Sequence, residues 1–84
     1  MQFNQWLHSE MIRAGLTQAA LARESGLHEN TVYAYVSGKQ LPSLRNLRFL
    51  CDALAWMLVD GQGCSRAEKQ MLSDTLMFDA IKTV

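Results

Sequence analysis

Glycines at positions 15, 26 and 38 cut the first half of the chain into short runs, and the residues between them choose helix. Phe3, Leu7, Met11 and Ala14 fall at i, i+4, i+8 and i+11 with Trp6 beside them, so one helical face is apolar and Gly15 can follow it in left-handed backbone. Thr17 is a good N-cap for Gln18-Ala-Ala-Leu-Ala-Arg-Glu-Ser25, a run of strong helix formers that stops at Gly26. A third helix is expected from Glu29 to Ser37, with Val32, Tyr35 and Val36 inward and Leu27 ahead of it in the turn. Pro42-Ser43 opens a fourth, in which Leu44, Leu47, Cys51, Leu54 and Leu58 recur at spacings of 3, 4, 3 and 4.

Gly61-Gln62-Gly63 breaks that helix, and Ser65-Arg66-Ala67-Glu68 matches a capping box that starts a fifth. In the fifth, Ala67, Met71, Phe78 and Ile81 share a face, with Leu72, Leu76, Met77 and Val84 adjoining and Trp56, Met57 and Val59 nearby. This surface is wider than one stripe. Either it packs on the protein's own core, or part of it forms a symmetric dimer interface; the second is the expectation, with Met71, Leu72, Phe78 and Ile81 at the contact. No stretch alternates as a strand, so the chain reads as all-α with five helices.

A hydrophobic share of 49% in 84 residues supports a core for one small domain. The longest strictly apolar run, Ala53 to Val59, has seven residues, against the roughly 20 that span a bilayer. The first residues lack the basic-then-apolar layout of a secretion signal, so a cytoplasmic protein is expected, with no membrane partner. Cys51 and Cys64 are too few for a disulfide framework and are not spaced C-x-x-C, so both are expected as reduced thiols. His8 and His28 have no Cys or acidic partner at metal spacing. There is no nucleophile–base arrangement and no Gly-rich phosphate loop, so no metal, cofactor or enzyme activity is expected. Eight basic residues balance eight acidic ones, yet residues 11–50 carry a net +3 and the remainder −3. Neutrality overall does not favour a polyanion; a positive middle permits one.

Thr17 to Ser43 carries the functional signal: two short helices separated by a turn of about four residues. In the second, Glu29, Asn30, Tyr33, Ala34 and Ser37 face away from the apolar positions. Such a pair can hold one helix across a nucleic-acid backbone while the other projects side chains to base edges. Small residues at Ala22 and Gly26 are expected to let the two helices approach closely.

In Gly15-Leu-Thr-Gln18, Leu21-Ala22, Gly26-Leu-His-Glu-Asn-Thr-Val32, Ser37-Gly-Lys39, Pro42-Ser43 and the Leu44/Leu47 helix, the sequence resembles the phage repressor/Cro-type (XRE-type) helix-turn-helix proteins over roughly residues 7–55. The resemblance implies a five-helix, lambda-repressor-like fold. It divides into a DNA-binding domain at 1–60, with its helix-turn-helix at 17–37, and a C-terminal helix for dimerisation at 61–84. It further implies a small bacterial or phage transcriptional regulator, a repressor that binds a palindromic operator in double-stranded DNA as a homodimer. Glu29, Asn30, Tyr33 and Ala34 would meet bases, while Gln18, Thr31, Ser37, Lys39, Ser43 and Arg45 would meet phosphates. Two alternatives stay open: a controller protein of a restriction-modification or mobile element, and an antitoxin-like module that holds a protein partner through its last helix.

Side-chain chemistry sharpens these roles. Asn30 can pair bidentately with adenine or stay solvated; Glu29 can accept from a cytosine amino group or simply favour the helix dipole; Ala34 can pack on a thymine methyl. Tyr35 is expected in the core with its hydroxyl at the rim, and Tyr33 outside. The sequence departs from the family where Met11 and Val36 replace a common Arg–Glu pair, an apolar exchange that reads as compensation. His28 stands where Ser or Thr usually caps the third helix, and a looser terminus is expected there.

Overall fold

The computed structural model describes residues 2–59 and 66–83. Five helices follow in order: α1 (Phe3–Ala14), α2 (Gln18–Ser25), α3 (Glu29–Val36), α4 (Leu44–Val59) and α5 (Arg66–Ile81). No strand occurs among the described residues. The break at Gly61-Gln62-Gly63, the Ser65 half of the capping box, Cys64 and Val84 lie outside them.

The first three helices start and stop where local chemistry directs. Gly15, at φ 69°, ends α1 and donates its N–H to the Ile12 carbonyl at 3.1 Å. Thr17 Oγ1 accepts from the Ala20 N–H at 3.1 Å, capping α2, and Gly26 closes that helix at φ 75°. A Cβ on Gly26 would meet nothing within 4 Å. The expectation of close packing at this glycine is therefore corrected: its left-handed backbone requires glycine, and the space around it is open. Ala22, the other small residue, is buried in the core. The looser start expected for α3 is corrected as well, because His28 Nδ1 accepts from the Asn30 N–H at 3.1 Å and fills the capping role. Ser43 Oγ does the same for α4, accepting from the Asn46 N–H at 3.2 Å.

Phe3, Leu7, Leu21, Val32, Leu47, Leu50 and Leu54 are fully buried and draw the first four helices around one core. Met11 is buried and Val36 half-buried against that core, so the two positions that depart from the family's charged pair are filled by apolar packing. The stripe read on α4 holds at Leu47, Cys51 and Leu54, but Leu44 is 67% exposed and Leu58 half-buried. A strict 3–4 repeat drifts by about 20° per heptad on a straight helix, so the ends of the stripe rotate off the core. Leu50, Ala53 and Ala55 widen the buried arc instead.

α5 lies along α4 in the most extensive helix pairing of the molecule. Ser73, Leu76 and Ala80 are buried in that contact, with Leu72 and Met77 half-buried against the core. Polar groups also link the two helices: Arg48 bridges Asp74 at 2.7 Å and Asp52 at 3.4 Å, and the Ser73 hydroxyl donates a short bond to Asp52 Oδ1. Cys51 is buried beneath them. Desolvation pushes its thiol up from 9.0 to about 12, with Asp52 and Glu10 adding to the rise and Arg48 opposing it.

Candidate nucleic-acid interface

α3 is short, and its two sides are sharply different. Val32 and Tyr35 are buried, whereas Glu29, Asn30, Tyr33 and Ser37 are exposed and Ala34 is half-buried. The Tyr35 hydroxyl accepts from Asn46 Nδ2 at 2.8 Å, tying the inner side of α3 to the first turn of α4. Tyr35 thus matches the expectation of a core ring with a rim hydroxyl. Asn46 was not legible as its partner; the only available signal is that a buried tyrosine hydroxyl requires one.

The turn after α3 is held in place from two directions. Lys39 and Gln40 both donate their backbone N–H to the Ala34 carbonyl, at 2.9 and 3.2 Å. Gly38 adopts φ 81°, and a Cβ there would stand 3.3 Å from the Asn4 side chain. The start of α1 therefore backs the turn, a contact no sequence signal pointed to. Lys39, Gln40, Leu41 and Ser43 are exposed along this segment.

The residues expected to meet phosphate lie on α2, on α3, in the turn after it and at the start of α4. Gln18 opens α2 and is half-buried, as is Thr31, whose N–H donates to the His28 carbonyl at 3.0 Å. Ser37 Oγ donates to the Ala34 carbonyl at 3.3 Å. Ser43 is engaged as the α4 cap, and its hydroxyl hydrogen remains free to donate. Arg45 lies over the Phe49 ring at 5.6 Å and Lys39 over the Tyr33 ring at 5.3 Å.

Most of the basic side chains are already engaged in this way. Arg13 is paired with Glu10, Arg23 approaches Glu24 and Arg48 joins two aspartates, while Lys69 and Lys82 lie over Trp56 and Phe78. In the positive middle of the sequence, Arg13, Arg23 and Arg48 are therefore paired with carboxylates, while Lys39 and Arg45 keep their charge over neutral rings. On α5, Met71, Phe78 and Ile81 stand exposed, away from the α4 contact, while Leu72 is half-buried against the core.

A supported helix, a tight turn and a second helix with an open polar outer face define a helix-turn-helix module, the architecture of DNA-binding transcription regulators. Residues 7–55, more than half of the chain, match the Helix-turn-helix family, and the protein belongs to that family in its XRE-type form. No curated protein and no solved structure matches the chain. Among the described residues, no helix is long and apolar enough to cross a membrane.

Proposed function

We propose that the protein is a repressor that binds a palindromic operator as a homodimer and acts by occluding a promoter. The observation that carries this reading is the division of α3, with Asn30 and Glu29 open while Val32 and Tyr35 anchor the helix. Glu29, Asn30 and Ala34 form the base-reading set, with Tyr33 beside them. Gln18, Thr31, Ser37, Lys39, Ser43 and Arg45 are the phosphate set around it. Phosphate contacts position the helix, and base contacts specify the sequence.

A single copy of a module this small touches few base pairs. Two copies about one helical turn of DNA apart reach useful affinity on a symmetric site. The exposed face of α5, with Met71, Phe78 and Ile81, supports the pairing, and Leu72 borders it as a half-buried neighbour. Selection of bound sequences from a random duplex pool tests the proposal. A symmetric enriched site is the expected result; a pool that stays random overturns sequence-specific binding, and an enriched but unsymmetric site overturns the homodimer.

A further inference from the structure

The outer face of α3 includes one aromatic ring, Tyr33, and that ring is already in use. The chain leaves α3 at Val36, turns through Gly38 at φ 81°, and is pinned back by the two hydrogen bonds to the Ala34 carbonyl. This places Lys39 beside the last turn of the helix. Its ammonium stands 5.3 Å from the Tyr33 ring centroid, within the range in which a cation is attracted to an aromatic face. Both side chains are exposed, so the pair sits at the edge of the face that carries Asn30 and Glu29.

We infer that Tyr33 acts as a positioning residue: its ring holds the Lys39 ammonium at the rim of the reading helix, aimed at a duplex phosphate, and it does not read a base. The inference rests on the DNA-binding reading above. An ammonium carries three N–H donors, and a ring beneath it leaves the other side free for a phosphate oxygen. A free lysine loses rotamer freedom when it binds; one already held on a ring loses less. Such a device strengthens binding to every sequence, because phosphates carry no base information. It also gives α3, which has no basic residue of its own, a cation at its boundary.

The test compares wild type, Tyr33→Phe, Tyr33→Leu, Lys39→Met and the double variant Tyr33→Leu/Lys39→Met. Each is titrated by fluorescence anisotropy on a labelled duplex with the selected site and on an unrelated duplex of equal length. Tyr33→Phe, which keeps the ring, is expected to bind as wild type. Tyr33→Leu is expected to bind both duplexes about two- to five-fold more weakly, and to add nothing once Lys39 is Met. A loss confined to the selected duplex, or one that persists in the Lys39→Met background, overturns the inference and makes Tyr33 a direct reader. An equal loss in Tyr33→Phe overturns it in favour of a hydroxyl contact. Wild-type protein that retains neither duplex overturns the DNA reading itself. The ring pairing is then judged separately by NMR: the Lys39 side-chain methylene protons should be shifted upfield by the ring in wild type and Tyr33→Phe but not in Tyr33→Leu, and an unshifted wild type removes the pairing.

Discussion

At Gly26 the surroundings are open, yet the backbone stands at φ 75°, where a Cβ meets its own chain. Gly26→Ala is expected to cost about 1–2 kcal/mol in urea denaturation, although it fills no occupied space. Gly38→Ala is expected to cost more, because the same strain is joined by a close approach to Asn4. Cys51 gives the pH dependence. In the unfolded chain the thiol ionises near 9.0, whereas in the fold it holds its proton to about 12. Over that window the unfolded state binds fewer protons, so stability falls as pH rises from about 9 towards about 12 and is unaffected by this group below. Cys51→Ala should therefore show a smaller drop in denaturation midpoint between pH 8 and pH 10.5 than wild type; equal drops would remove the thiol as a cause. On the reading face, Asn30→Ala is expected to weaken binding to the selected site by about 1–3 kcal/mol while leaving unrelated duplex unaffected, as competition titrations would show.

Element by element, the helices were legible where capping and periodicity agreed. Phe3–Ala14 and Gln18–Ser25 could be read from Gly15, Thr17 and Gly26, since these residues act on their own neighbours. The less legible features depend on other elements. The sequence puts Met71, Leu72, Phe78 and Ile81 at a dimer contact but gives no sharp boundary between that side of α5 and a core-facing one, because its apolar residues surround more than half of the helix. Leu76 and Ala80 are buried on the covered side, and Arg48, Asp52, Ser73 and Asp74 join it to α4 through a four-residue polar link that has no sequence periodicity. The outcome leaves Met71 and Phe78 at 68% and 65% exposure. Phe78→Asp should accordingly leave monomer stability within about 0.5 kcal/mol. If this face is the contact, the same change should convert a dimer to a monomer in sedimentation at tens of micromolar. A variant that still sediments as a dimer would place the interface elsewhere. Leu76→Ala, on the covered side, should instead cost about 2–5 kcal/mol of stability.

For the molecule as a whole, the charge balance sets how binding responds to salt. The sequence shows a positive middle, and the fold shows how its cations are held: Arg13 is paired with Glu10 and Arg48 with two aspartates, while Lys39 and Arg45 keep their charge over neutral rings. Base-reading candidates could be proposed from the sequence because one helix sets their facing. The Arg13–Glu10 and Arg48–Asp52 pairs also lie at helical spacings of three and four, whereas the Arg48–Asp74 bridge could not be read, because it depends on α4 meeting α5. A duplex can recruit Lys39 and Arg45 without competing with an ion pair, whereas the charges of Arg13 and Arg48 are already offset by carboxylates. Few counterions should therefore be released per protomer, since each phosphate neutralised contributes about 0.9 to the slope of log K against log salt concentration. With Lys39 and Arg45 as the recruitable cations, the expected magnitude is about 2 per protomer. Lys39→Ala should lower it by about 1 and weaken specific and unrelated duplexes alike. A slope several times steeper, measured between 50 and 200 mM salt, would mean that the paired arginines are released on binding and that the compensation seen in the free protein does not survive contact with DNA.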